Sequence, residues 1–328
     1  MNNGNFASSS LNLSGLEDEF IKSLAGAQKS NNTQKNYRTD LNSFDEYLNQ
    51  NKIKQDIDIL SMHNVLQYSH YLDQKYHSDN SKRRKIQTLR IFFDYLVKAR
   101  IISSNPLREI QNSPKFLDIP RPASFIDIKT LWVQLIEDAS SEDEMASLIA
   151  MRNQLVILLI FGAALKVSTL SGLLLEHLYD GENPRVLVTD GSRDPYSIPL
   201  PNIFSTILAK YKTLLEKLKL RFQLDFPELL FNANHYRILA GGLSPRGLEL
   251  VLEEYRDKLM INITPKSLRQ AGIFKWLHQK KKESQIKEWL GVAPSYSLAP
   301  YKELAGQNVY SDVFLAEIYN HYEFKNKK

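Results

Sequence analysis

No cysteine occurs in this chain of 328 residues. Its absence excludes disulfide bonds and cysteine nucleophiles, and a reducing compartment, the cytoplasm, is the expected location. The seven histidines show no metal-binding spacing such as H-E-x-x-H, and the sequence has no glycine-rich phosphate loop. These two absences argue against metalloenzymes and nucleotide-dependent enzymes, so we expect neither a metal nor another cofactor.

Long hydrophobic runs are also missing. The most apolar segment, Leu155 to Leu165, is far too short to cross a bilayer, so no membrane partner is expected. The first residues, MNNGNFASSSLNLSG, lack the basic and apolar segments of a signal peptide, and residues 1–13 are predicted to be a flexible leader. Charged residues make up 24% of the chain and the net charge is +5, which fits an acidic polymer as partner without requiring one.

The N-terminal third has the apolar spacing of short helices. One clear stripe is formed by Tyr37, Leu41, Phe44 and Leu48, and Thr33 is a candidate N-cap before it. Similar stripes predict four or five helices over residues 14–112. Residues 113–124 hold three prolines and little periodicity, which indicates a linker.

The part after the linker is predicted to be mainly helical with one small sheet. Residues 184–200 are the one convincing strand region, because two β-rich runs flank Asp190-Gly191-Ser192 and suggest a hairpin. The fold class is therefore mainly α with a small β-sheet, in two domains. The predicted helices span residues 127–137, 145–165, 202–220, 244–260, 266–282, 283–290 and 309–322.

Three short motifs near the C-terminus occur in a fixed order. They are Ile263-Thr264-Pro265-Lys266-Ser267-Leu268-Arg269-Gln270, then Leu290-Gly291-Val292, then Tyr301. Their order and spacing resemble the T-P-H-x-L-R-H … L-G-H … Y signature of the tyrosine recombinases, or phage integrases. The resemblance implies a SAM-like helical core-binding domain at residues 14–112 and a tyrosine recombinase catalytic-type domain at 125–306. Residues 307–328 would be a C-terminal helical tail.

The resemblance also implies a chemistry. In that family a tyrosine attacks a DNA phosphodiester and forms a 3′-phosphotyrosyl intermediate without a metal. Two arginines clamp the phosphate oxygens, a lysine on a β-hairpin protonates the leaving oxygen, and two His-type residues assist. Fixed donors around the phosphate are what such a phosphoryl transfer needs.

Two of these catalytic residues are kept and two have cationic substitutes. Arg269 and Tyr301 occupy the positions of the second arginine and the nucleophile. Lys166 stands where the T-G-L-R-x-S-E-L box has its arginine, which keeps the charge but loses the bidentate fork. Lys266 replaces the histidine of the H-x-x-R box, a variant that the family tolerates.

Other positions depart further from the family. The hairpin lysine position falls on Asp194, and the neighbouring Arg193 is a candidate cation but a poor general acid. Val292 replaces the histidine of L-G-H, and Gln270 replaces a residue that is often histidine. Pro300 precedes the nucleophile directly, where it is expected to push residue 299 out of helical geometry.

Each of these residues also has an ordinary interpretation. Tyr301 is one of 16 tyrosines, Arg269 could be a salt-bridged helix residue, and Lys166 could be a lysine with a half-buried stem. Runs of basic residues are usually solvated faces. The resemblance implies that the first run, residues 82–85, begins a helix that often faces DNA. The predicted DNA-binding residues are Lys82, Arg83, Arg84, Lys85, Arg246, Lys280, Lys281 and Lys282.

Three functions remain open at this point. The first is a site-specific binder of double-stranded DNA, from a mobile element or plasmid, with impaired or absent strand transfer. The second is an active recombinase that cleaves through Tyr301. The third is an interaction module that has lost DNA binding. The tail is expected either to pack on its own domain or to mediate self-association on DNA, and a partner recombinase is a further candidate partner.

Overall fold

The computed structural model describes residues 12–55, 62–76, 79–108, 119–189, 193–233, 238–306 and 309–326. The chain divides into two compact units, residues 1–116 and 117–328. This division falls inside the segment that the sequence predicts as a linker. The predicted leader and residues 113–118 of the predicted linker lie outside the described residues, except that α1 already begins at Leu13.

The first unit is helical in its described residues, as the apolar stripes predict. Phe20, Phe44 and Phe92 are fully buried in its core, which is separate from the core of the second unit. Helix α2 begins earlier than predicted, because the Ser30 hydroxyl accepts the Thr33 N–H and is the N-cap in place of Thr33. The helices are α1 (Leu13–Gly26), α2 (Asn31–Gln50), α3 (Met62–Lys75), α4 (Asp79–Lys98) and a short 3₁₀ helix (Pro106–Arg108).

The second unit carries nine α-helices among its described residues. Helix α10 ends at His278 rather than at residue 282, because Lys280 takes a left-handed conformation (φ +55°) that ends the regular hydrogen bonding. Its helices are α5 (Phe125–Ala139), α6 (Glu144–Ile157), α7 (Val167–Leu170), α8 (Ile203–Phe222), α9 (Pro245–Leu259), α10 (Pro265–His278), α11 (Glu283–Leu290), α12 (Ala299–Leu304) and α13 (Val313–Asn326).

Two small antiparallel sheets accompany these helices. Strands β1 (Leu178–Tyr179), β2 (Arg185–Val188) and β3 (Tyr196–Pro199) pair in the order β1-β2-β3. The β2–β3 pairing confirms the predicted hairpin strands, while the predicted turn lies outside the described residues. Strands β4 (Phe231–Ala233) and β5 (Leu239–Gly241) form a second sheet that was not predicted, because three-residue strands carry too little alternation to be recognised.

The long apolar helix continues beyond α6 as a π-helical turn, Leu158–Gly162. Together they form one helical stretch, Glu144–Gly162, that is long and apolar enough to cross a membrane, but 83% of its apolar window is buried inside the unit. It is therefore a core helix. Helix α10 packs directly on the π turn, since a Cβ at Gly272 would lie 2.5 Å from the Phe161 carbonyl oxygen.

Candidate active site

A pocket of about 580 Å³ opens between α9, the start of α10 and the segment before α7. Three of the predicted catalytic cations line it: Lys166, Lys266 and Arg269. Arg246, a predicted DNA contact at the start of α9, lines it as well. Residues separated by 103 positions in the sequence are thus brought to one concave surface.

The capping of α10 sets the position of Arg269. Thr264 and Ser267 form a capping box, and Pro265 occupies the first turn, where its missing N–H costs nothing. Arg269 lies one turn further on and donates from Nε to the Ala164 carbonyl over 2.6 Å. Burial lowers the pKa of the Arg269 guanidinium, while nearby tyrosines oppose that shift. It remains a cation at neutral pH.

Ala164 adopts a left-handed conformation with φ +48°. If Lys166 is matched to the arginine of the T-G-L-R-x-S-E-L box, Ala164 falls at its glycine, for which a left-handed backbone has no steric cost. Here an alanine bears that cost, and its carbonyl group points to Arg269. Lys166 follows two residues later as the exposed N-cap of α7, so the strained turn connects the two cationic positions.

Tyr301 lies on α12 with 8% of its surface exposed. Its ring centroid is 5.5 Å from that of Phe274, and its hydroxyl interacts with Gln270 and Tyr296. Burial, helped by Tyr296, raises the pKa of Tyr301 to about 12, although Arg269 and Gln270 act in the opposite direction. The hydroxyl is therefore neutral at physiological pH, and the charge of Arg269 acts on it.

The expectation about Pro300 was wrong. Helix α12 begins at Ala299, so residue 299 is part of the helix and the proline lies in its first turn. A proline there removes no intrahelical hydrogen bond.

Arg193 has a structural role that the sequence did not indicate. Its guanidinium lies 3.4 Å from the centroid of the Tyr196 ring, and Nη2 donates to the Glu288 carbonyl over 2.9 Å. That carbonyl belongs to the last turn of α11, where a cation is favourable. Arg193 is absent from the described lining of the pocket, Asp194 is exposed, and Val292 is half-buried. The hairpin therefore docks on α11 near Gly291.

The basic run of α4 divides into different environments. Lys85 has only 4% of its surface exposed and lies 3.3 Å from Asp40, which also accepts from Arg84 over 2.8 Å. Lys85 is thus an internal ion-pair residue, and its burial contradicts the prediction of a surface contact. The Arg84 side chain is half-exposed, and Lys82 pairs with Asp73.

The remaining predicted DNA contacts are accessible. Arg83 is half-buried, and Lys280, Lys281 and Lys282 are exposed after the end of α10. The Arg246 side chain is 65% exposed and pairs with Glu249 and Glu253. Their contact with DNA stays a prediction.

Sequence reasoning missed two polar residues on α10. Lys275 is 2% exposed, donates to the Gly162 carbonyl over 2.8 Å and pairs with Asp312 at 3.1 Å. Burial lowers the pKa of Lys275, and Asp312 opposes that shift. A lysine between Phe274 and Trp276 was the available signal, since a charge inside an apolar run is often internal. His278, the second residue, bonds the backbone on both sides of residues 306–309.

The C-terminal tail packs on its own unit. Phe314 contacts Phe125 with ring centroids 5.0 Å apart, and the Trp132 indole donates to the Leu315 carbonyl over 3.0 Å. This agrees with the first of the two alternatives for the tail. It leaves self-association on DNA as a prediction.

Comparisons with known proteins find tyrosine recombinases and integrases. A family model described as phage integrase, N-terminal SAM-like domain, matches residues 18–100. The tyrosine recombinase XerC of Listeria welshimeri is 24% identical over 90% of this chain and 95% of its own. XerD of Listeria monocytogenes is 26% identical over 80% of this chain and 84% of its own.

Solved structures show the same fold. A lambda integrase fragment bound to DNA is 16% identical with a TM-score of 0.62, over 90% of this chain and 97% of the fragment. XerH recombinase bound to its difH substrate is 13% identical with a TM-score of 0.60, over 89% and 83%. Through the SAM-like domain, the relatives along nearly the whole chain and the shared fold, the chain is similar to the tyrosine recombinases (phage integrases).

Proposed function

We propose that this chain is a site-specific binder of double-stranded DNA whose strand-transfer activity is impaired or absent, acting in the cytoplasm for a mobile element or plasmid. The observation that carries the proposal is the cationic pocket formed by Lys166, Lys266 and Arg269 beside Tyr301. Such a pocket suits a phosphate of the DNA backbone. The relatives are named tyrosine recombinases, and the similar structures include complexes with DNA.

The impairment follows from the donors that the pocket lacks. Lys166 supplies charge without the fork of an arginine. Arg193 holds the end of α11 and cannot release a proton readily. Val292 supplies no hydrogen bond. Loss of one donor to transition-state charge costs about 2.7–4 kcal/mol, roughly 10²–10³ in rate, so several losses reduce cleavage severely.

An active recombinase is the second candidate, and one observation favours it. Tyr301 lies close enough to Arg269 for the arginine to stabilise its phenolate, which is the arrangement a nucleophile beside a clamped phosphate requires.

The deciding experiment is a suicide-substrate assay. The purified protein is incubated with nicked duplex carrying its flanking DNA, or DNA obtained by random-site selection, and SDS-resistant adducts are sought. We expect binding without an adduct. An adduct that is lost in Tyr301→Phe and kept in Tyr296→Phe, the matched neighbouring variant, would establish the active recombinase. Duplex binding that is absent or independent of salt would support the interaction module.

We also propose that the protein self-associates on DNA through its tail. Removal of the whole tail would open the core around Phe314, so a surface change is the sharper test. Phe324 is 74% exposed at the end of α13. If the tail mediates contacts between protomers, Phe324→Ala should reduce the cooperativity of DNA binding. Unchanged cooperativity would argue against self-association through the tail. Adding a partner recombinase to the same DNA-binding titration tests whether the two proteins assemble together on DNA.

A further inference from the structure

One face of α10 contacts α12, the helix that carries Tyr301, and the residue just after it. Its three members are four residues apart: Gln270 interacts with the tyrosine hydroxyl, Phe274 packs on the tyrosine ring, and His278 bonds the Ala305 carbonyl just after α12. Tyr301 and Ala305 are also four residues apart. Contacts between α10 and the segment of α12 therefore recur once per helical turn, and His278 makes the last of them.

The His278 ring uses both of its nitrogens. Nδ1 accepts the backbone N–H of Tyr310 over 3.1 Å, and Nε2 lies 2.7 Å from the Ala305 carbonyl oxygen. An acceptor at Nδ1 and a carbonyl facing Nε2 assign the neutral tautomer with its hydrogen on Nε2. The ring also stacks on Tyr310 at 6.2 Å. One side chain thus ties the end of α12 and the start of the tail to α10.

We propose that His278 is the positioning residue for Tyr301. Its Nε2 holds the end of α12 through the Ala305 carbonyl, and the Tyr310 N–H helps to orient the ring for that bond. The description of α12 as a nucleophile helix rests on the second candidate of the proposed function, the active recombinase. The bonds of the His278 ring to Ala305 and Tyr310, here called the clasp, can be measured without DNA.

Two variants separate the two bonds. His278→Gln keeps a donor near the place of Nε2 and so keeps the bond to Ala305. His278→Asn keeps an acceptor near the place of Nδ1 and so keeps the bond to Tyr310. Tyr310→Phe is the matched control, because it removes the hydroxyl bond to the Ala123 carbonyl and leaves the backbone N–H in place.

The test is hydrogen exchange by mass spectrometry on the whole chain, free of DNA. Amide exchange over residues 299–305 should be about tenfold faster in His278→Asn, the effect of one lost hydrogen bond. It should change much less in His278→Gln and in Tyr310→Phe. Equal exchange in all four proteins would overturn the proposal. Loss of protection throughout α6 and α10 in His278→Asn would also overturn it, since the ring would then support the whole unit.

A second readout connects the clasp to the chemistry. If the wild-type protein forms the SDS-resistant adduct, His278→Asn should form it at least several-fold more slowly with unchanged DNA affinity. An unchanged adduct rate would overturn the positioning role while leaving the recombinase activity intact. If no adduct forms, the exchange experiment still decides the clasp, so failure of the proposed function and failure of this inference are distinguishable.

Discussion

At the scale of single residues, two carboxyl groups meet inside the first unit. Glu17 on α1 is 1% exposed and hydrogen-bonds Asp45 on α2, and one oxygen of each group has no partner within the described residues. Two carboxyl groups that hydrogen-bond each other share a proton. Burial and the charge of Asp45 raise the pKa of Glu17 to about 8, although Arg38 opposes them.

From the raised pKa of Glu17 we expect the first unit to lose stability as the pH rises. The pKa of Glu17 in the folded protein is raised above its ordinary value of 4.5 to about 8. The stabilisation that protonated Glu17 contributes is therefore complete below about pH 4.5, and it is lost as the pH rises through 8. Between those values the free energy of unfolding should fall by up to about 1.4 kcal/mol per pH unit. Glu17→Gln should remove this slope, and Glu19→Gln, an exposed control on the same helix, should keep it.

The measurement is urea unfolding of the full chain from pH 5 to 9, followed by far-UV circular dichroism. All three tryptophans lie in the second unit, so their fluorescence reports that unit separately. A dichroism transition in the wild type that does not depend on pH would show that Glu17 is ionised in the folded protein.

Ala164 gives a second prediction at this scale. Glycine there would relieve about 1–2 kcal/mol of left-handed strain. It would also lose a buried methyl group, about 0.8 kcal/mol, and gain unfolded-state entropy worth about 0.4–1 kcal/mol. Ala164→Gly should therefore be neutral within about 1 kcal/mol by tryptophan fluorescence. Ala164→Val should cost about 3 kcal/mol, because a branched side chain tolerates neither the conformation nor the space.

At the scale of elements, α10 depends on its close contact with the π turn. A Cβ at Gly272 would lie 2.5 Å from the Phe161 carbonyl oxygen, which cannot rotate away as a side chain would. The overpacking outweighs the helix propensity gained, so Gly272→Ala should cost about 2 kcal/mol in urea unfolding. Gly15→Ala, with open space around it in α1, should be neutral or stabilise the protein by up to about 1 kcal/mol through helix propensity alone. Equal effects of the two variants would mean that α10 and the π turn are not tightly packed.

The sequence predicts elements well where one pattern dominates. The stripes of α2 and α4 and the β2–β3 strands are found where periodicity places them. The end of α10 was misplaced, because lysine is an ordinary helix former and the sequence gives no sign of the left-handed conformation that Lys280 adopts. The site follows the same rule. Motif spacing placed Lys166 and Arg269 in one pocket, whereas the roles of Arg193 and Lys85 depend on partners that are distant in sequence, Glu288 and Asp40.

At the scale of the whole molecule, each of the two units has a hydrophobic core of its own. We propose that both contact one DNA duplex, Arg84 from the first and the Lys166–Arg269 pocket from the second. Linked sites bind with an effective concentration in the millimolar range, so the intact chain should bind its DNA about 10²–10³ times more tightly than either unit alone.

Salt dependence checks the same idea independently. Each neutralised phosphate contributes about −0.9 to the slope of log K against log salt, so the slope of the intact chain should equal the sum of the slopes of polypeptides 12–108 and 119–328. Arg84→Gln should reduce the slope by about 0.9 in the intact chain and in the first unit alike. Lys85→Gln should lower the stability of that unit without changing the slope, because Lys85 is buried against Asp40. A second unit that matches the intact chain in affinity and slope would mean that only one unit contacts DNA, and the predicted core-binding role of the first would then be wrong.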